Sequence, residues 1–282
     1  MNLGTVAYFS FLAESTGGFI HFLITHFLAE STLWFTMATA HPFHLVDGSP
    51  WPILTALALS AGALLQMPDY FYVLILLFWW RDVIRESTGG FHTTAVQRGL
   101  LLGFILFLLS EIMLFVSFFW AFFHSSLSPA IELANVWPPL GLNAVNPWAI
   151  PFLGSGVLLA SGFLLTLSHL SYAFGKDYTI ITLLITTLLG VLFLILQFNE
   201  YRWGEFTIAD SVFGSLFYMT TGLHAIHVIV GVIFLAVALV RISRDSFTAD
   251  HHLGLEFAIF YWHLVDAVWL VVFLLFYWWC SS

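Results

Sequence analysis

Five long apolar runs decide what this chain can fold into. Each run has about 20 residues or more, the length at which an α-helix crosses the hydrocarbon core of a bilayer. The runs are residues 99–123, 148–174, 179–198, 208–240 and 253–279. They do not alternate apolar and polar residues as membrane strands do, so a helical bundle is the only spanning structure left. We therefore predict an all-α integral membrane protein.

Composition supports this and excludes other classes of protein. Of 282 residues, 60% are hydrophobic and 8% are charged, whereas soluble domains carry about 25% charged residues. Seven Lys and Arg residues are too few to neutralise a nucleic-acid backbone, so we expect no nucleic-acid partner. The single cysteine, Cys280, excludes an internal disulfide and a cysteine-bound iron–sulfur cluster.

The N-terminal part of the chain is less regular. Residues 53–80 are apolar but are interrupted at Pro68-Asp69, and the stretch is too short for two full spans and too long for one straight span. It forms either a single kinked span or a short hairpin, and we favour a hairpin of two helices of about 12 residues, each reaching ~18 Å. Residues 1–40 form an apolar extension that either lies in the interface or adds a span. The predicted parts are 1–40, a shortened helix pair with its loop over 41–97, and a five-helix bundle over 98–282.

Basic residues indicate the orientation. If the chain crosses the bilayer at each long run, Arg202 falls on one side and six basic residues fall on the other. By the positive-inside rule that second side is the matrix or cytoplasm, and its residues are Arg81, Arg85, Arg98, Lys176, Arg241 and Arg244.

Glu111 lies in the middle of an apolar run. An ionised carboxylate at that depth costs roughly 2.5–3.5 kcal/mol, so we expect Glu111 to be protonated or paired and to face other helices or the boundary with a partner subunit. Two interpretations stay open. Glu111 is either a proton-coupling carboxylate or one partner of a structural hydrogen bond between helices.

Other polar side chains also fall within the spans. Metal ligation by any of them would need further ligands from other helices, and a membrane histidine is more simply explained by a helix–helix hydrogen bond. We therefore expect no catalytic residue, haem or metal in this chain. We predict a structural polar role for His224 and His227, which share a helix face with Thr220, and for Glu256, His263 and Asp266.

Aromatic clusters lie at the ends of predicted spans. The tryptophans at 79–80 and the aromatic cluster at 277–279 are typical of interfacial anchors. Near the first cluster, Trp80, Arg81, Arg85, Glu86 and His92 form either a solvated loop or a site for anionic lipid head groups, whose phosphates match arginine. The string ESTGGF occurs at 14–19 and again at 86–91, which indicates a local duplication.

Several strings resemble one family. They include HPFHLVDGSPWP (41–52), WWRDVIREST (79–88), SE (110–111) with FFWAFFHSSL (118–127), TGLHAIHV (221–228) and YWHLVDAVWL (261–270). Shorter matches are residues 137–139, 158–162, 200–201, 206–210 and 247–252. Together they resemble subunit III of cytochrome c oxidase, of the mitochondrial type.

The resemblance implies a seven-helix-type bundle with no redox centre, which docks on the haem- and copper-bearing subunit I among the other complex IV subunits. It implies a multi-pass protein of the mitochondrial inner membrane that supports proton uptake and stability of subunit I. It also implies bound phospholipids, held between the first two helices and the last five. The family's membrane carboxylate matches Glu111, and its lipid-contacting positions match Trp80, Arg85, Glu86, His92 and Arg241.

Two departures from the family stand out. Residues 53–80 are about a dozen residues short of two complete helices of ~20 residues each, and residues 1–40 match nothing in the family. Two alternatives are a haem-bearing quinol or cytochrome subunit and an independent channel or transporter. A haem-bearing subunit would need histidine pairs on facing helices. A transporter is typically built from internal structural repeats. The sequence displays neither pattern.

Overall fold

The computed structural model describes residues 43–65, 69–175, 178–248 and 252–281. Within these ranges the chain forms seven α-helices: α1 Trp51–Leu65, α2 Asp69–Thr88, α3 Thr94–Leu127, α4 Ile150–Ala173, α5 Thr179–Trp203, α6 Ser211–Ser243 and α7 Leu253–Val272. A π-helical turn, Phe273–Trp278, and a 3-10 turn, Trp279–Ser281, extend α7. Five helices, α3 to α7 with its extension, are long and apolar enough to cross a membrane. The predicted all-α membrane bundle with a shortened first helix pair is confirmed, and the predicted extension 1–40 lies outside the described residues.

The described residues fall into two compact units, which divide at Gly103 and Phe104. In the first unit α1 and α2 form a hairpin. Trp51, the first residue of α1, donates from Nε1 to Oδ2 of Asp82 at 2.7 Å, and its ring stacks on Phe78 at 5.8 Å. Because Asp82 lies in the second half of α2, the two helices run antiparallel, and the single kinked span is wrong.

The expected helix lengths are also wrong. The helices have 15 and 20 residues rather than about 12 each, because α2 continues beyond Trp80 to Thr88. Its charged end stays helical since Arg81 and Arg85 lie 2.9 and 3.6 Å from Oδ1 of Asp82. The charges are paired along the helix and do not terminate it.

The second copy of the repeated string ends α2. Gly90 takes a positive φ of 79°, which glycine adopts at little steric cost. The backbone N–H of Phe91 donates to the carbonyl of Glu86 at 3.1 Å, and that of Gly90 donates to Ser87 at 3.3 Å. This pair of bonds is a Schellman motif, a common helix C-terminus. Residues 86–91 therefore encode a helix stop, while the copy at 14–19 lies outside the described residues.

In the second unit α7 occupies the centre, and most of its residues are buried. The indole of Trp262 donates from Nε1 to Oγ of Ser161 on α4 at 2.9 Å. The same ring packs against Gly190 of α5 and Gly231 of α6, where an added Cβ would overlap it. Small residues on three surrounding helices thus make room for one large side chain, as is common between membrane helices.

Helix α3 meets this bundle through large side chains. Phe104 stacks on Phe257 with ring centroids 4.3 Å apart. The buried residues of α3 recur every seven positions and are Leu108, Phe115 and Phe122. Another stripe, more than half exposed, consists of Leu106, Met113 and Trp120. The buried stripe fixes the inner face of α3, and Glu111 lies on it between Leu108 and Phe115.

Candidate functional site

Glu111 of α3 and His227 of α6 form a pair. Oε2 of Glu111 lies 2.6 Å from Nε2 of His227, and the side chains are 20% and 9% exposed. The ring of Phe115 meets the imidazole edge-on at 4.9 Å, and Tyr261 stacks on it at 6.3 Å. The carboxyl therefore faces another helix, as its position in the sequence predicts.

The second nitrogen of His227 fixes how many protons the pair holds. Nδ1 lies 2.8 Å from the carbonyl oxygen of Leu223, which only accepts hydrogen bonds, so Nδ1 carries a hydrogen. The contact between Nε2 and the carboxyl then needs one further hydrogen. Either a protonated Glu111 donates to Nε2, or an imidazolium donates to a carboxylate. Both arrangements contain the same shared proton and have no net charge. The contact does not distinguish them, so the neutral state of Glu111 itself stays a prediction.

His224 holds α6 against α7. Its Nε2 donates to the carbonyl of Val265 at 3.1 Å, and its ring lies 5.0 Å from Trp269. Both His224 and Thr220 are completely buried. This is the kind of helix–helix hydrogen bond that the sequence predicts for a membrane histidine.

His263 and Asp266 meet at Gly162 of α4. A Cβ at Gly162 would lie 2.5 Å from Oδ2 of Asp266 and 3.6 Å from Nδ1 of His263. Nε2 of His263 lies 3.4 Å from Oγ1 of Thr166. The absent side chain at Gly162 therefore leaves the space in which both polar groups approach α4.

Glu256, a predicted structural polar residue, and Arg241, a predicted lipid contact, lie near the start of α7. Glu256 places Oε1 at 3.4 Å from Nε2 of His252. The guanidinium of Arg241 lies 4.0 Å from the ring centroid of Phe247, a cation–π contact, and its Nη1 packs against Gly254. Arg241 belongs to the second unit, whereas the other four predicted lipid-contacting residues belong to the first.

In the first unit, the structure brings two of those four residues together. Glu86 in the last turn of α2 places Oε2 at 3.9 Å from Nε2 of His92. A residue that was not predicted, His44, also joins this group, and its Nε2 lies 3.5 Å from the same oxygen of Glu86. Trp80 is 57% exposed, and the side chain of Arg85 is 69% exposed. His44 was missed as a site residue, although it stands in the string 41–52 that carries the resemblance.

Asp82 is the charged anchor of the hairpin. The hydrogen bond from Trp51, assisted by Arg81 and Arg85, holds the pKa of this carboxyl below its ordinary value. Asp82 is therefore ionised at neutral pH. It links the start of α1 to the two arginines at the end of α2.

Comparison with known proteins decides the family. The model of the family described as cytochrome c oxidase subunit III matches residues 41–281. The chain belongs to this family. Three relatives carry the name cytochrome c oxidase subunit 3. The protein of Chondrus crispus is 47% identical over 259 residues, covering 86% of this chain and 95% of its own. That of Drosophila yakuba is 50% identical over 254 residues, covering 85% and 97%. That of Arabidopsis thaliana is 46% identical over 256 residues, covering 85% and 97%.

Membership in the subunit III family makes this chain a subunit of the cytochrome c oxidase complex, which it forms with other complex IV subunits. Its five candidate spans make it a multi-pass membrane protein. Each alignment has more positions than the part of this chain that it covers. The relatives therefore contain residues that this chain lacks, in agreement with its shortened first helix pair.

Another polar site of this subunit III chain was missed in the sequence. The hydroxyl of Tyr277 donates to Oε1 of Glu200 at 2.5 Å, and Nε2 of Gln197 donates to the same oxygen at 3.2 Å. Tyr277 is completely buried, so its prediction as an interfacial anchor is wrong. Tyr277 lies within the π-helical turn Phe273–Trp278, so ordinary α-helical spacing does not give the direction of its side chain. The only sequence signal for this site is the family string at 200–201.

Proposed function

We propose that this chain is a non-redox core subunit of complex IV in the mitochondrial inner membrane, docked on the catalytic subunit I. The observation that carries the proposal is the family match over residues 41–281, together with relatives that share about half of their residues with it. In this role the chain stabilises subunit I while the complex reduces oxygen to water. The redox chemistry takes place in the partner subunits.

Both ring nitrogens of His227 and one ring nitrogen of His224 already make hydrogen bonds within the bundle, which supports the absence of haem and copper from this chain. His227 has Nδ1 on the carbonyl of Leu223 and Nε2 on Glu111, so neither nitrogen is left to bind iron. His224 has Nε2 on the carbonyl of Val265. Histidines bonded in this way hold helices together, which favours a structural subunit over a haem-bearing one.

The pair of Glu111 and His227 supports a role in proton uptake. The carboxyl of Glu111 and the imidazole of His227 share one proton between α3 and α6. Only a small displacement of that proton moves it from the carboxyl oxygen to the ring nitrogen. The other interpretation, a structural hydrogen bond between α3 and α6, rests on the same contact. Proton uptake by the complex and retention of this chain in the complex are measured separately, so experiment can distinguish the two interpretations.

The exposed residues at the end of α2 support phospholipid binding. Trp80 offers an amphipathic ring suited to the interface, and the guanidinium of Arg85 can bind a phosphate with two N–H groups. The proposed lipid contacts are Trp80, Arg85, Glu86, His92 and Arg241. We expect Arg85→Gln to lower the phospholipid content of the purified complex, as measured by mass spectrometry. Arg202→Gln, also exposed but on the opposite predicted side, is the matched control.

Purification through an affinity tag on this chain tests the main proposal. In mild detergent the chain should co-purify with a complex containing haem and copper, and untagged membranes should yield none. The chain released from that complex should show no haem absorbance. Haem in stoichiometric amount on the released chain would indicate the cytochrome alternative, and purification without any oxidase subunit would indicate the channel or transporter.

A further inference from the structure

The cluster of His44, Glu86 and His92 has the composition of a metal site. Two imidazole nitrogens and one carboxylate oxygen, one atom from each residue, lie within 4.8 Å of one another. His44 stands in the segment before α1, Glu86 in the last turn of α2 and His92 in the loop before α3. The three ligands thus come from three separate parts of the first unit.

We propose that these three side chains bind a Zn²⁺ ion. Zinc bonds to histidine and carboxylate are about 2.0–2.2 Å long, so two ligands of a tetrahedral site are about 3.4 Å apart. Nε2 of His44 and Nε2 of His92 lie 3.5 and 3.9 Å from Oε2 of Glu86. These two separations exceed the tetrahedral value by about 0.5 Å or less, and the two ligand nitrogens lie within 4.8 Å of each other.

The ligand types exclude ions that prefer oxygen donors and are compatible with zinc. Magnesium and calcium prefer oxygen ligands, whereas two imidazoles and one carboxylate suit zinc. Three protein ligands leave the fourth position of a tetrahedral site open. A water molecule, or an oxygen of a lipid phosphate at the nearby arginines, fits that position.

The backbone around the cluster holds two of the ligands, Glu86 and His92, in place before any ion binds. The Schellman motif closes on the carbonyl of Glu86 and turns the chain back, which places His92 beside the Glu86 side chain. The side chain of Gln97 donates to the carbonyl of His92 at 2.9 Å. Arg81 and Arg85 pair with Asp82, so the carboxyl of Glu86 stays directed at the two histidines. This proposal revises the expectation that the chain holds no metal, and it does not depend on the role of Glu111.

Zinc binding to the assembled oxidase tests the proposal. Complexes carrying wild-type chain, His44→Asn, Glu86→Gln or His92→Asn are dialysed against buffered free Zn²⁺, and bound zinc per complex is measured by mass spectrometry. We expect the wild type to bind one more zinc ion than each variant, with the affinity of the variants reduced more than about tenfold. His124→Asn, which removes an exposed histidine at the end of α3, should bind as the wild type does. Equal zinc binding by all five complexes would overturn the proposal.

A second measurement needs only the wild-type complex, in case a variant fails to assemble. Diethylpyrocarbonate modifies histidine, and the modified positions are read by peptide mass spectrometry with and without Zn²⁺. Zinc should protect His44, which is 44% exposed, and should leave the modification of His124 unchanged. If zinc leaves the modification of His44 unchanged, the metal site is refuted. If Glu86→Gln lowers phospholipid content without changing zinc binding, the metal site is refuted and the occupant is a lipid head group.

Discussion

Replacement of Glu111 by leucine should loosen α3, whereas replacement by glutamine should not. Leucine leaves Nε2 of His227 in a side chain that is only 9% exposed, without its partner. Such an unpaired group costs about 1–3 kcal/mol, and hydrogen bonds between membrane helices lie nearer ~0.6–2 kcal/mol. We therefore expect about 1 kcal/mol, or roughly a fivefold change in an equilibrium constant. The amide N–H of glutamine can still donate to Nε2, so Glu111→Gln should lie close to the wild type.

A double-mutant cycle isolates this contact. Glu111→Leu, His227→Leu and the double variant are assembled into the oxidase, and thermal release of the chain from the complex is followed in detergent. Because both polar partners are gone, the double variant should recover much of the loss caused by either single change. Losses that simply add, or a glutamine variant as labile as the leucine variant, would refute the pairing.

The same variants separate proton coupling from structure. With Glu111→Gln the complex should keep this chain and yet take up protons more slowly in reconstituted vesicles. Infrared difference spectra should contain a protonated-carboxyl band that disappears in Glu111→Gln. If the wild type lacks that band at pH 7, Glu111 is ionised and the expectation of a neutral carboxyl is wrong. Unchanged proton uptake in a fully assembled variant would leave Glu111 with a structural role only.

Three further predictions concern packing and topology. Gly190→Ala should lower the midpoint of thermal release, because the added Cβ would overlap a buried indole ring. Such overpacking costs about 1–3 kcal/mol. Gly156 has open space around it, so Gly156→Ala should leave the midpoint unchanged. Tyr277→Phe should lower the same midpoint, since it removes one of two donors to a buried carboxyl of α5, at a cost of about 1–3 kcal/mol. Cysteines placed at Ser49 and Ser87 should react with a membrane-impermeant reagent from the same side, because the hairpin brings both to one end.

Each of these predictions has a result that contradicts it. Equal midpoints for the two alanine variants would mean that the ring beside Gly190 can move away. A Tyr277→Phe complex as stable as the wild type would mean that water or another group replaces the hydroxyl. Labelling of the two cysteines from opposite sides would exclude the hairpin, and the buried Cys280 gives little background in that assay.

The spans of this chain were predictable because length and polarity decide them locally. The predicted runs differ from α3 to α7 by only a few residues at most ends. The lengths of α1 and α2 were not predictable in this way, because the charged end of α2 is stabilised by Asp82 pairing with Trp51, 31 residues away. Local polarity alone suggested a helix end at Trp80.

Partners across the bundle were the other part that sequence could not provide. The spacing of residues on α3 places Glu111 on the buried stripe, but its bond to His227 joins positions 116 residues apart. Similarly, Gly190 and Gly231 flank Trp262, and no local pattern links the three residues. The string 86–91 was visible as a repeat, and its meaning as a helix stop became clear only from its backbone bonds.

The shared proton of Glu111 and His227 also limits how the membrane voltage can act on this pair. Moving one charge through the whole potential is worth about 2.3 kcal/mol per 100 mV. The proton moves within a contact of 2.6 Å, less than a tenth of a hydrocarbon core ~30 Å thick. A voltage of 100 mV therefore shifts the balance between its two positions by at most about 0.2 kcal/mol, which is below thermal energy. The pair responds to chemical changes around it and is almost insensitive to the membrane voltage.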